Sequence, residues 1–112
     1  MKRYFLLFLY LIIYIPVFSG TAYPDSLLQL LKMTKTDSHK IEIYWDLSNY
    51  YNRFYPKKSL EYANKALQIN QNNNNQRGIA KSYNHIGIVY DLKGEYNKAL
   101  EYYFNALKIN EA

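Results

Sequence analysis

The stretch from residue 80 to residue 109, AKSYNHIGIVYDLKGEYNKALEYYFNALKI, contains two apolar stripes on either side of Lys93-Gly94. Offsets of three, four and seven residues place each stripe on one face of a helix. Gly94 supplies the backbone freedom that a tight turn between helices requires. The stretch therefore predicts a helical hairpin, in which glycine and alanine let the helices approach while tyrosine rings fill the remaining space. The stripes consist of Ala80, Tyr83, Ile86, Gly87 and Tyr90, and of Tyr96, Ala99, Leu100, Tyr103, Ala106 and Leu107.

This hairpin resembles a tetratricopeptide repeat at seven positions. The family's first helix carries an aromatic residue, an aliphatic residue followed by a small one, and a second aromatic residue. Its second helix carries an alanine, an aromatic residue and another alanine. The resemblance implies an all-α fold of stacked helical hairpins, a superhelix in which residues 79–112 form one repeat. The matching positions are Tyr83, Ile86, Gly87, Tyr90, Ala99, Tyr103 and Ala106, whereas Glu111 replaces the usual closing proline.

Residues 39–70 repeat the pattern in a divergent form. The segment LEYANKALQIN, residues 60–70, is identical to LEYYFNALKIN, residues 100–110, at seven of eleven positions. Pro56 fits the first position of a helix, where its missing N–H costs nothing. We interpret residues 39–70 as a first repeat, with serine and alanine in place of the family's alanine and aromatic residue on the second helix. The positions that carry this interpretation are Tyr44, Leu47, Ser48, Tyr51, Ser59 and Ala63.

Two further segments complete the predicted organisation. Residues 23–38 predict a leucine-rich capping helix and a polar break; because a short helix is unstable alone in water, it must dock on a neighbouring part of the chain. It is either a cap on the first repeat or the second helix of a degenerate preceding one. Residues 71–78, QNNNNQRG, predict an asparagine-rich loop between the repeats. The repeats are about 40 residues apart against a family period of about 34, which implies an insertion here that longer helices could partly absorb.

The first 22 residues have the pattern of a secretory signal peptide. Lys2 and Arg3 precede an apolar run, and small residues follow it, with Gly20 and Ala22 placed for a cut before Tyr23. The run is short for a bilayer crossing, which needs roughly 20 residues, although an uncleaved membrane anchor remains the alternative. Because the chain has no cysteine, a lipoprotein anchor is excluded. Export to the periplasm or cell envelope of a bacterium is predicted.

Composition and motifs favour a binding protein over an enzyme. The 112 residues suffice for one small domain, the absence of cysteine excludes disulfides and thiol catalysis, and the net charge of +5 is dispersed. We therefore expect no nucleic-acid partner, and no cofactor or metal, because neither a phosphate loop nor a ligand cluster is present. His39 is interpreted as a solvated residue at a helix start. His85 lies beside a packing position, and its spacing from Ser82 is not interpreted as a catalytic pair.

The family resemblance also implies where a partner would bind. In tetratricopeptide arrays the first helix of each repeat lines a concave groove, and residues between the packing positions point into it. Trp45 offers a large anchor of the kind enriched in binding hot spots, or else packs on the leucine-rich helix. Trp45 also stands where the family's carboxylate clamp has a lysine, which argues against capture of a C-terminal carboxylate. The groove positions are Glu42, Trp45, Asn49, Asn52 and Arg53 in the first repeat, and Lys81, Asn84, Ile88 and Asp91 in the second.

The predicted function is therefore a non-catalytic, exported protein-interaction module with a protein or peptide partner. The signal peptide and the tyrosine- and asparagine-rich repeats resemble the exported sensor region of bacterial signalling proteins, which implies the N-terminal part of a larger sensor or scaffold. Two alternatives stay open: a truncated input domain of a membrane-bound signalling enzyme such as a histidine kinase, and a self-assembling repeat protein. With no helix after residue 112, a surface around Tyr102, Phe104 and Ile109 is expected to face water and to allow self-association.

Overall fold

A computed structural model describes residues 23–111 of the chain, which are helical apart from short turns and contain no strand. The all-α prediction is confirmed. Among these helices, none combines the length and the apolar character that crossing a membrane requires. The signal peptide predicted for residues 1–22 lies outside the described residues. The helices are α1, helical over residues 23–33, α2 (Asp37–Tyr51), α3 (Pro56–Asn72), α4 (Gln76–Leu92) and α5 (Tyr96–Glu111).

The described residues divide into two units, with the boundary after Met33. Helix α1 belongs to the first unit, so its role as a cap on the first repeat stays a prediction. In the second unit, α2 packs against α3, α3 against α4 and α4 against α5, with a smaller contact between α2 and α4. This order describes two antiparallel hairpins, α2–α3 and α4–α5, stacked side by side.

The second hairpin is built on the small residues that the sequence pattern singled out. Ala99 and Ala106 are each 1 % exposed, and both lie on the face of α5 that meets α4. Gly87 is buried against the ring of Tyr103: a Cβ placed on Gly87 would lie 2.6 Å from Tyr103 Cε1. Gly94, at φ +81°, forms the turn, where only glycine avoids the cost of the left-handed conformation. The ring of Tyr103 thus occupies the space that a side chain at position 87 would need.

In the first hairpin the corresponding pair of residues has the opposite distribution of side-chain size: the larger residue lies on the first helix and the smaller one on the second. Ser48 stands where the second hairpin has Gly87, and Ala63 stands where it has Tyr103. The hydroxyls of Ser48 and Ser59 lie 2.9 Å apart in the core, and Ser59 Oγ also donates a hydrogen bond to the Ser48 carbonyl at 2.6 Å. Because no ring crosses between the helices here, glycine is not required. In this repeat the larger residue at position 48 is compensated by the smaller residue at position 63.

Tyrosine rings close both hairpins in the same way. In the first, Tyr62 stacks on Tyr51 at 6.0 Å between ring centroids, and the Lys58 ammonium lies 4.5 Å from the Tyr51 ring centre. In the second, Tyr102 stacks on Tyr90 at 5.6 Å, and the Lys98 ammonium lies 4.7 Å from that ring. A lysine over an aromatic ring is a favourable cation–π contact. Each stack holds the two helices of a hairpin together where their surfaces are half-buried.

The predicted loop over residues 71–78 is shorter than expected. Gln71 and Asn72 complete α3, and α4 begins at Gln76, so the turn consists of residues 73–75. Asn74 has a left-handed backbone at φ 51°, and the backbone N–H of Asn75 donates to the carbonyl of Asn70 at 2.9 Å. A left-handed residue just after the end of a helix is usually glycine or asparagine. Longer helices, of 17 residues in both α3 and α4, therefore account for the wide repeat spacing.

Candidate functional site

The predicted groove residues fall on α2 and α4, the first helices of the two hairpins, and in the turn just after α2. Eight of the nine reach solvent, of which only Asn52 is half-buried. Ile88 is 39 % exposed although it is apolar, whereas the flanking Gly87 and Val89 are buried. The side chains between the packing positions therefore form an accessible surface along the two helices. The exposed members are Glu42, Asn49, Arg53, Lys81, Asn84, Ile88 and Asp91.

Trp45 is the exception, because it is 6 % exposed and belongs to the core. Its indole Nε1–H donates to Ser82 Oγ at 3.3 Å, and its ring stacks on the His85 imidazole with centroids 5.4 Å apart and planes 12° apart. Trp45 also joins a buried cluster with Ile41 and Ala66. The tryptophan thus seals the seam between α2 and α4, and it is not an exposed anchor for a partner. Trp45 contacts Ala66 on α3 and Ser82 and His85 on α4. The sequence predicts none of these three contacts.

Ser82 is the point at which three helices meet. Its side chain is fully buried, and its Oγ accepts hydrogen bonds from Trp45 on α2 and from Asn70 Nδ2 on α3, the second at 3.4 Å. The hydroxyl is therefore engaged in structural contacts rather than paired with His85. No group of three or more histidine, cysteine, aspartate or glutamate side chains is placed to hold a metal ion within the described part of the chain.

The surroundings of His85 favour its neutral form. Burial lowers the pKa of the imidazole, and the nearby Lys81 ammonium lowers it further, against a smaller opposite effect of Asp46. Its Nδ1 is buried without a hydrogen-bond partner. A neutral ring is also the form that stacks on Trp45 without carrying charge into the seam. His85 acts here as a packing residue with one unsatisfied polar atom.

A cleft opens where α4 begins beside α2, with a volume of about 250 Å³. Three predicted groove residues line it, Glu42, Trp45 and Lys81, and the Lys81 ammonium lies 4.2 Å from the centre of the Trp45 ring. Arg77 lines it as well, so two cations face one carboxylate. Arg77 escaped the sequence prediction because residues 71–78 were assigned to a loop. Its position at the start of an extended α4 brings it to the same surface as Lys81.

A family model, the tetratricopeptide repeat, matches residues 80–112, which comprise most of α4 and all of α5. The chain carries a tetratricopeptide repeat. The match covers the α4–α5 hairpin, whereas the relation of α2–α3 to the family rests on its internal similarity to that hairpin and on its matching architecture. Searches among curated proteins and among solved structures gave no match.

The presence of this repeat sets the class of function. Tetratricopeptide repeats generally mediate protein–protein interaction and are generally non-catalytic. The surface along α2 and α4 carries amides, both charges and one exposed aliphatic side chain. These groups can form hydrogen bonds and ion pairs with a polypeptide. The repeat is thus a protein-interaction module.

Proposed function

We propose that the chain is an exported interaction module that holds an extended peptide segment of a partner protein along α2 and α4. The supporting observation is the cleft between the two helices, in which Arg77 and Lys81 face a single carboxylate, Glu42. Such a site has an excess of positive charge and favours an acidic side chain of the partner. Because Lys81 lies over the Trp45 ring, its long side chain is held in place before binding, which reduces the entropy that binding costs.

The amides on the same surface would bind the partner's backbone. Asn49 and Asn84 are exposed, one on each helix, and each can both donate and accept a hydrogen bond. A peptide in an extended conformation has unpaired N–H and C=O groups along its length, and asparagine side chains satisfy such groups without demanding a particular sequence. The cleft would then supply the preference for an acidic residue, while the asparagines supply general affinity.

A charge-reversal experiment tests this assignment. Random peptides displayed on phage are selected on the full chain, and the affinity of the enriched peptides is measured by fluorescence anisotropy. Selected peptides should share an acidic residue, and the Arg77→Glu/Lys81→Glu variant should bind them at least about tenfold more weakly, a loss of about 1.4 kcal/mol. Lys57→Glu/Lys108→Glu is the matched control, because it reverses two charges of the same sign at exposed positions of α3 and α5. Equal weakening by this control, or peptides without an acidic residue, would refute the cleft as the binding site.

The proposal places the module in a bacterial cell envelope, as the N-terminal part of a sensor or scaffold. This rests on the charged start, the apolar run and the small residues before Tyr23. Cell fractionation and N-terminal sequencing of the chain expressed in a bacterium test it. Mature protein beginning at Tyr23 in the periplasmic fraction is the expected result. Full-length protein in the cytoplasm would contradict export without affecting the binding surface.

A further inference from the structure

The turn between α2 and α3 presents two adjacent aromatic side chains to solvent. Phe54 is 79 % exposed, more than any other large apolar residue of the described chain, and Tyr55 is 64 % exposed. The α4–α5 hairpin follows this turn in the chain and leaves both rings uncovered. Large apolar side chains that lie exposed together, rather than singly, mark an interaction surface.

The backbone of this turn is fixed, so the rings are presented at a defined place. The Tyr55 N–H donates to the Tyr51 carbonyl at 2.8 Å, and the Ser59 N–H donates to the Tyr55 carbonyl at 3.0 Å. The Tyr55 ring meets the Tyr51 ring edge-on, with centroids 6.0 Å apart and planes 83° apart. Pro56, at the start of α3, restricts the backbone further. The exposed rings are therefore part of the hairpin's own architecture.

Positive charges surround the two rings. Residues 50–58, YYNRFYPKK, carry three positive charges and no negative one. Arg53 and Lys57 are exposed on either side of the aromatic pair, and the Lys58 ammonium lies 4.5 Å from the centre of the Tyr51 ring. One carboxylate, on α3, shares a shallow depression beside the turn with two of the three cations. The residues that line this depression are Tyr55, Pro56, Lys57, Lys58 and Glu61.

The turn of the second hairpin lacks this combination. Residues 91–98, DLKGEYNK, carry two positive and two negative charges, and Lys93 forms an ion pair with Glu95 at 3.3 Å. Gly94 replaces an aromatic residue within the turn. The positive aromatic turn is thus a specific feature of the first hairpin and not a consequence of the repeat.

The apolar surface that the sequence predicts at the C-terminal helix is only partly exposed. Phe104 faces water as expected, whereas Tyr102 is half-buried against Tyr90 and Ile109 is half-buried as well. The expectation is right for Phe104 alone.

We propose that the aromatic tip, residues 53–57, inserts into the surface of a membrane that contains anionic phospholipid. Aromatic side chains are favoured at the boundary between headgroups and acyl chains, where the ring is buried and polar groups stay hydrated. Arginine and lysine beside such rings are attracted by the phosphates of anionic lipids. The aromatic tip offers both kinds of group at one place. A pocket of a protein partner is a poorer match, because the rings project from a turn with cations on both sides.

The aromatic tip is separate from the cleft that contains Arg77 and Lys81. Arg53 is the one predicted groove position that it includes. The proposal therefore does not rest on peptide binding in the groove, and a failure of either leaves the other intact.

The test places a second tryptophan at the aromatic tip, since Trp45, the sole tryptophan, lies in the core. Phe54→Trp keeps a large ring at the tip, and phospholipids with brominated chains quench a tryptophan that enters the bilayer. Vesicles of phosphatidylglycerol and phosphatidylcholine in equal parts are added to the full chain. Gln71→Trp is the matched control, because it puts a tryptophan at an exposed position near the other end of α3, roughly 20 Å away. Comparing the two positions separates insertion of the tip from attachment through the first 22 residues.

The expected result is quenching of Phe54→Trp beyond that of the native chain, with no added quenching of Gln71→Trp. Adding Arg53→Gln/Lys57→Gln to the Phe54→Trp chain should raise the lipid concentration for half-maximal quenching at least about tenfold, because each cation near an anionic surface contributes roughly a fivefold factor. Vesicles of phosphatidylcholine alone should require a similarly raised lipid concentration.

Four outcomes would overturn the proposal. The first is no added quenching of Phe54→Trp by the anionic vesicles, and the second is equal quenching at positions 54 and 71. The third is quenching that ignores both Arg53→Gln/Lys57→Gln and the removal of phosphatidylglycerol, since the rings would then adsorb to any lipid. The fourth is a selected peptide that loses affinity in Phe54→Ser while no quenching occurs, which would assign the aromatic tip to a protein partner.

Discussion

Gly87 offers the most direct test of how the second hairpin is packed. Replacing it with alanine has two opposite effects on the free energy of unfolding. Removing a glycine from a helix interior stabilises by about 0.5–1 kcal/mol. The new Cβ, however, would lie 2.6 Å and 2.8 Å from two atoms of the Tyr103 ring, closer than real Cβ contacts, so the ring must move. Overpacking of this kind costs about 1–3 kcal/mol. We expect a net loss of about 1 kcal/mol, with a Tm lowered by roughly 4–8 °C.

A double-mutant cycle with Tyr103→Ala separates the two effects. With the ring removed, the added Cβ meets no obstacle and only the helix propensity remains, so Gly87→Ala should stabilise the Tyr103→Ala background by about 0.5 kcal/mol or more. The sign of the substitution therefore reverses between backgrounds, which corresponds to a coupling energy of about 1–3 kcal/mol. Urea denaturation followed by far-ultraviolet circular dichroism measures each free energy of unfolding.

Tyr102→Ala is the matched control for this cycle. Tyr102 is adjacent in sequence and also half-buried, but it stacks on Tyr90 and is not among the atoms nearest to Gly87. Gly87→Ala should destabilise this background about as much as the native chain, within about 0.5 kcal/mol. If Gly87→Ala changes stability equally in all three backgrounds, the glycine is not needed for the ring of Tyr103. The close approach of α4 and α5 would then have another cause.

Three further predictions concern the seam and the turn. Burial lowers the pKa of His85, so below about pH 6.5 the unfolded chain binds more protons than the folded chain. The free energy of unfolding should therefore fall as the pH drops below that value. His85→Phe should flatten this dependence, measured by urea titrations at several pH values. Asn74→Ala should destabilise by about 1 kcal/mol because of its left-handed backbone, whereas Asn74→Gly should be neutral or stabilising in thermal denaturation. Ser82→Ala leaves two buried donors without this acceptor and should cost about 1–3 kcal/mol. Trp45, the sole tryptophan, reports the change by its fluorescence maximum, and an unshifted spectrum with unchanged stability would contradict the role of Ser82.

The second hairpin could be predicted from sequence because its determinants are local. Helical spacing, the glycine turn and the alternation of small and aromatic residues all lie within the thirty residues 80–109. Gly94 is left-handed and Gly87 faces a tyrosine ring, as the pattern indicated. Each of these features depends on one helix and its immediate partner. A pattern of this kind specifies the structure almost completely.

The sequence predicts a longer turn between the repeats than the structure has, because asparagine has two structural uses. A run of asparagines favours loops, but the same side chain also caps helices and tolerates the left-handed conformation. Here Asn75 caps α4, its Oδ1 accepting from the Gly78 N–H at 3.2 Å, and Asn74 follows the end of α3. The turn therefore needs only residues 73–75, and the residues on either side of it continue the helices. Composition alone could not locate these two positions within the run.

The burial of Trp45 could not be predicted for a different reason, since its surroundings come from distant parts of the sequence. The family's register puts it among the groove positions, as it does Asn84 on the next repeat, and Asn84 is indeed exposed. Within residues 23–111, Trp45 has a further first helix beside it, which supplies Ser82 as hydrogen-bond acceptor and His85 as stacking partner. Those residues lie 37 and 40 positions away along the chain. The position of a residue within a repeat thus predicts the direction of its side chain. Whether that side chain is exposed depends on the neighbouring repeat.

Ser82 links the cleft to the packing between the two hairpins. Ser82 Oγ receives one hydrogen bond from Trp45, which forms one wall of the cleft, and another from Asn70, which holds α4 on α3. A change in the packing of α4 on α3 therefore moves Ser82 Oγ, which also positions the Trp45 indole. The Lys81 ammonium lies over that indole, so its position changes as well. Because all three groups are buried or held by stacking, this seam has little freedom to adjust separately at each contact. The geometry of the groove follows from the packing between repeats, so the residues that stack the hairpins also shape the site offered to a partner.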